Sequence, residues 1–147
     1  MRRIVRFARL PAAERRLLAA AAALLGATRI ALWLLPFGGV QRGAARLERR
    51  RLPGPTDPDA AKRVVWAVDV ASRYSPASQN CLARALTAKV MLARQGLSTQ
   101  LRIGVRRDSE GELLAHAWVE APEGILIGNM PSLFRYVPLH PRDRTDP

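Results

Sequence analysis

Apolar residues recur along this chain with two periods, and the switch between them divides it. From Pro11 to Phe37, Leu17, Leu18, Ala21, Leu24, Leu25, Thr28, Leu32 and Leu35 fall on one side of a helical wheel. Arg15, Ala19, Ala22, Gly26, Arg29 and Trp33 fall on the other, which predicts one long amphipathic helix or two broken near Gly26. Pro11 suits a first-turn position, and Pro36 with Gly38–Gly39 ends the run. Residues 38–58 read as a connector with arginines from Arg46 to Arg51 and then Pro53-Gly54-Pro55. Thr56 or Asp57 can cap the next helix, with Pro58 in its first turn. Ala61, Val64, Val65 and Val68 mark its buried face, widened by Trp66 and Val70, through about Arg73. After the break at Ser75-Pro76, Ser78 or Asn80 can cap a helix whose apolar positions are Leu82, Leu86, Met91 and Leu92, with Gly96 as its stop.

Beyond Gly96 the period falls to two. Thr99, Leu101, Ile103 and Val105 alternate with Gln100, Arg102 and Gly104, which predicts a strand. Asp108-Ser109-Glu110-Gly111 is a turn, Leu113 to Glu120 a second strand, Pro122-Glu123-Gly124 a turn, and Ile125 to Gly128 a third strand ending at Asn129. The expectation is an α+β fold, an antiparallel meander packed on helices.

At 147 residues the chain suits one compact unit with a real core. Within it, residues 1–55 are expected to form a basic helical region and connector, and residues 56–147 the core. Charge marks the same division. Residues 1–52 carry twelve arginines against Glu14 and Glu48, a net +10, whereas residues 53–147 carry +2. Such a segment can face anionic lipid, an acidic peptide or protein, or nucleic acid, or it can simply be a solvated surface. Few aromatics interleave with the arginines and no nucleic-acid motif is present, so no nucleic-acid partner is expected.

The run Leu17–Phe37 is nearly long enough to cross a bilayer. Arg29 lies well inside it, at a cost of roughly 2.5–3.5 kcal/mol near the bilayer centre, and a packed helix is favoured over a span. Arg29 and the bulky Trp33-Leu34-Leu35 also argue against a secretory signal. Peripheral membrane contact is left open but not favoured. The single cysteine can form no internal disulfide, which fits a reducing compartment and a cytoplasmic location.

That cysteine, Cys81, stands where a helix should begin. Unpaired backbone N–H groups and the positive end of the helix dipole there favour a thiolate. Alone, it would more often be a small buried apolar residue. His116 in the second strand and Asn129 after the third change that balance. A cysteine opening a helix, then a histidine and then an amide on successive strands, is the papain-type order of nucleophile, base and orienting group. The Cys81 N–H can help hold an oxyanion, and Gln79 is a candidate for the second donor. One Cys and two His, with His140 in a proline-flanked tail, make no zinc spacing, so neither metal nor cofactor is expected.

The stretch NCLARALTAKVMLARQGLSTQLRIGVRR, followed by LLAHAWVEAPEGILIGN, resembles the lasso-peptide leader peptidases of bacteria, transglutaminase-like cysteine proteases. The resemblance is to the discrete form, separate from a small leader-recognition protein. It implies a transglutaminase-like core and removal of the leader from a ribosomally made precursor peptide. A separate ATP-dependent cyclase would then join the new N-terminus to a side-chain carboxylate. It implies Cys81 as nucleophile and His116 as base; family members commonly carry Asp where this chain has Asn129. The precursor leader and the recognition protein are the expected partners, with the basic N-terminal third as a docking surface. A transglutaminase or other thiol acyltransferase, and a noncatalytic scaffold, are the competing readings.

Overall fold

The computed structural model describes residues 7–51, 57–74 and 81–139. Among the described residues the helices α1 (Ala12–Leu34), α2 (Phe37–Glu48), α3 (Ala60–Tyr74) and α4 (Cys81–Arg94) precede the strands β1 (Gln100–Arg107), β2 (Leu113–Ala121), β3 (Gly124–Ile127) and β4 (Val137–Pro138). A single 3-10 turn, Leu133–Arg135, lies between β3 and β4. This is an α+β fold with an N-terminal helical region.

The long N-terminal helix is unbroken: Gly26 lies within it, and a side chain added there would meet nothing within 4 Å. One face packs as its wheel predicts, with Ala21 and Leu25 buried among α3 and α4 and Leu17, Leu18, Leu24 and Leu32 half-buried around them. The other face is exposed. The helix is long and apolar enough to cross a membrane by length and composition, yet only 11 % of its apolar window is buried.

The structure corrects the connector: residues 37–48 are a helix. Gly38 and Gly39 weaken the helical signal. They occupy the first turn, however, where the Pro36 carbonyl already accepts from the Gly39 and Val40 N–H groups at 2.9 and 3.3 Å. Val40, Ala44 and Leu47 then recur at helical spacing, and with Gly43 they line a narrow gap against Leu24, Thr28 and Ala31 of α1 and Leu35 just after it. With only Leu35 and Pro36 between them, α1 and α2 form a helical hairpin.

In α3, Ala60, Val64, Ala67, Val68 and Ala71 form the buried face. Asp57 precedes it in an Asx turn, its Oδ1 accepting from the Asp59 N–H at 2.8 Å, and pairs with Arg63. Thr56, Ser75, Pro76, Ser78, Gln79, Asn80 and His140 lie outside the described residues. Helix α4 is the hub and contacts every other helix and three strands. Ala83, Ala85, Leu86, Ala88, Val90, Met91 and Leu92 are buried along it. Its end is a Schellman motif: Gly96 sits at φ +85°, and the Leu97 N–H reaches the Leu92 carbonyl at 3.0 Å. The end of α2 is fastened there. Arg51 donates to the Gly96 carbonyl (3.1 Å), Arg94 to the Arg50 carbonyl (3.3 Å), and Lys89 to both carboxylate oxygens of Glu48 (2.8 Å each).

The four strands run in the order β3-β2-β1-β4, all pairings antiparallel. Asp108 builds the first hairpin turn, its Oδ1 accepting from the Glu110 and Glu112 N–H groups, with Gly111 at φ +83°. One sheet face, carrying Leu101, Ile103, Ala117, Val119 and Ile127, packs on the helices. Since side chains alternate, Arg102, Gly104, Leu114, His116, Trp118 and Glu120 belong to the opposite face. The strand order places β3 and β4 at opposite edges, so the chain from Gly128 to Tyr136 must cross that outer face. This crossover creates the environment of His116.

Candidate active site

Cys81 is the first residue of α4, as its position before an alanine- and leucine-rich segment predicts. Its free thiol is half-buried against the helical core. One turn on, Arg84 is paired with Asp69 of α3, which ties the thiol-bearing end of α4 to its neighbour.

His116 sits opposite Gly104 in the register of β1 and β2. The missing side chain at Gly104 makes the room the aromatic cluster needs. A Cβ there would lie 2.9 Å from the Trp118 ring and 3.1 Å from Tyr136 Cβ. Trp118 stacks on the imidazole (centroids 6.2 Å apart, planes 18° apart), and Tyr136, arriving on the crossover, closes over it at 5.5 Å and 48°. Trp118 is itself anchored. Its Nε1–H donates to Glu120 Oε1 at 2.7 Å, while Arg102 Nε donates to Glu120 Oε2 at 3.2 Å, so one carboxylate fixes the indole and bridges the two central strands.

The imidazole Nε2 lies 2.7 Å from the Gly128 carbonyl oxygen. A carbonyl can only accept, so Nε2 carries the proton and Nδ1 is the basic nitrogen of the neutral ring. Gly128 can hold its carbonyl there because it is glycine. Its φ is +83°, and a Cβ would fall 2.7 Å from the Ala117 carbonyl oxygen and 2.8 Å from Trp118 Cβ.

Asn129, the third residue expected from the sequence, is exposed at the start of the crossover. Among the described residues its side chain does not bond the imidazole; the partner of that ring is the backbone one residue earlier. Nor does a hydrogen bond join Cys81 Sγ to His116 among the described residues. Cys81 packs with the helical layer, whereas His116 lies under the crossover. Among the described residues, no three His, Cys, Asp or Glu side chains are grouped to hold a metal.

The sequence reading missed Gly128, Trp118, Tyr136 and Glu120. The alternation that puts His116, Trp118 and Glu120 on one strand face was legible; the glycine opposite and the returning Tyr136 require the topology.

An antiparallel sheet against a helix that opens with the only thiol, and a histidine held in one tautomer on the second strand, define a thiol-bearing α+β domain. Residues 21–140 match the family model of the transglutaminase-like superfamily, and the chain belongs to that superfamily, which includes cysteine proteases. The match takes in Cys81, His116, Gly128 and Asn129, together with most of α1 and all of α2. Comparison with curated proteins and with solved structures gave no match.

Proposed function

We propose that the protein is a cysteine peptidase that removes the leader from a ribosomally made lasso-peptide precursor. The superfamily match carries the thiol chemistry of this reading, because it spans the only cysteine, at a helix head, and the histidine of β2. The resemblance of the two segments around those residues to leader peptidases supplies the substrate.

In this mechanism His116 Nδ1 takes the proton of Cys81 Sγ, and the thiolate attacks the scissile carbonyl carbon. The oxyanion forms at the start of α4, where the Cys81 N–H is one donor. Collapse breaks the C–N bond, the imidazolium gives its proton to the leaving amine, and the leader is left as a thioester on Cys81. Water, deprotonated by the same imidazole, then releases the leader and restores the thiol. The reading requires Nδ1 and Sγ to come within hydrogen-bond reach in the substrate complex. In this scheme the Gly128 carbonyl holds Nε2–H and so orients the base. Asn129 is the alternative for that role.

The partners this reading calls for are the leader, a separate recognition protein docked on the Arg46–Arg51 cluster, and an ATP-dependent cyclase that consumes the freed core. A single thiol and a peptide substrate made in the cell fit a cytoplasmic location for this reaction. The second reading, a thiol acyltransferase, shares the thioester and differs in what intercepts it: an amine instead of water. The superfamily match supports that chemistry equally.

The test is peptide mass after mixing protein, recognition partner and precursor, with and without an added primary amine. Leader-sized cleavage lost in Cys81→Ala and His116→Ala is expected. A leader carrying the amine's mass would move the assignment to acyl transfer, and cleavage surviving Cys81→Ala would sink the thiol mechanism.

A further inference from the structure

The tip of the α1–α2 hairpin is apolar and exposed. Trp33 is 84 % exposed, Leu34 63 %, Ile30 60 % and Leu35 52 %, and Phe37 begins the return helix. Five large apolar side chains within eight residues far exceed the scattered exposure of an ordinary surface.

Charge identifies what covers them. Between Glu14 and Glu48 the sequence contains no acidic residue. Arg42 and Arg46 on the exposed side of α2, and Arg49 at its C-terminal cap, recur at helical spacing. Arg42 stands five residues behind Phe37, about 7–8 Å along the helix axis, and Arg46 about 13–14 Å. An apolar tip with cations one to three turns behind it matches the layering of an anionic bilayer, acyl chains below and phosphates above. Trp33 at the tip is the residue type enriched at that boundary. A transmembrane arrangement is excluded by packing, because spanning would withdraw Ala21 and Leu25 from the core shared with α3 and α4.

We propose that the segment from Ile30 to Phe37 inserts as a wedge into the headgroup region of an anionic membrane, with the arginines of α2 at the phosphate level. The protein is held on the membrane surface, and the domain behind the hairpin stays in water.

The experiment is flotation of the full chain with vesicles of phosphatidylcholine alone and of phosphatidylcholine and phosphatidylglycerol in equal parts, combined with tryptophan emission. Binding confined to the anionic vesicles is expected, weakened by salt, with a blue shift that Trp33→Phe removes. Replacing Trp33 and Leu34 by Ala should weaken partitioning roughly tenfold or more. Arg42→Gln and Arg46→Gln should each weaken it about fivefold. All four side chains are exposed, so circular dichroism should be unchanged. The proposal is overturned if the wild type floats with neither vesicle. It is equally overturned if both vesicles bind equally with Trp33 emission unmoved, or if light scattering shows a dimer that Trp33→Ala dissolves, since a second copy would then cover the tip. None of these readouts depends on peptidase activity.

Discussion

The smallest feature that decides chemistry is a backbone oxygen. With Nε2–H held by the Gly128 carbonyl, Nδ1 is the unprotonated nitrogen of the neutral His116 ring whatever side chain follows. Gly128→Ala should displace that oxygen, because the added Cβ meets Ala117 and Trp118 and the left-handed φ is strained. On the proposed mechanism kcat/KM falls about a hundredfold. The nitrogen spectrum of His116 should lose its single Nε2–H tautomer, a change that general destabilisation alone would not produce. Asn129→Ala, at an exposed residue, should leave cleavage within about twofold of wild type. The reverse ranking would make Asn129 the orienting group. At this scale the sequence pointed to the neighbourhood and not to the atom. A strand end followed by Gly-Asn is visible in a string of letters. Which of two adjacent residues reaches back twelve positions depends on the path of the crossover.

Among the elements, α4 and the β1–β2 hairpin were legible because each is specified locally, by apolar spacing, a glycine stop and an Asx-type turn. The helix α2 was not. Its Gly38–Gly39 start and high arginine content describe a loop in isolation, and its stability comes from laying Val40, Ala44 and Leu47 against α1 and fastening its end to α4. Strand β4 is two residues long and exists only because the crossover returns to β1, so no periodicity could reveal it. The end of α4 offers a direct check. Gly96→Ala forces a β-carbon into the left-handed region and toward Arg51 Nη2, 2.9 Å away. The variant should lose about 1–2 kcal/mol of unfolding free energy in urea. An unchanged midpoint would mean that the α2–α4 fastening carries little stability.

For the whole molecule, the uneven charge marks a basic N-terminal region within one compact unit, and that region shares its buried core with the rest of the described residues. Ala21 and Leu25 belong to the same buried cluster as Val64, Leu92 and Val119. Two substitutions on one helix should therefore behave oppositely. Leu25→Ala, at a 3 %-exposed site, should cost about 2–5 kcal/mol by opening a cavity between α1, α3 and α4. Trp33→Ala, eight residues on at the exposed tip, should shift stability by less than about 0.5 kcal/mol. Thermal or urea unfolding of the pair measures the contrast, and comparable losses would mean the tip is packed in solution. A helix that is apolar nearly all round buries one side in the core and, on the proposed wedge, turns the other to a membrane, two tasks that sequence patterning cannot separate.

Cys81 is the sole cysteine in 147 residues and stands at the head of the central helix. Any thiol-directed reagent therefore has one address. An alkylating probe becomes a titrant, one equivalent per competent molecule. A fluorophore or spin label placed there reports from the head of the central helix with no cysteine to be engineered away, and on the proposed mechanism the loss of a single reactive group counts the molecules a substrate has occupied.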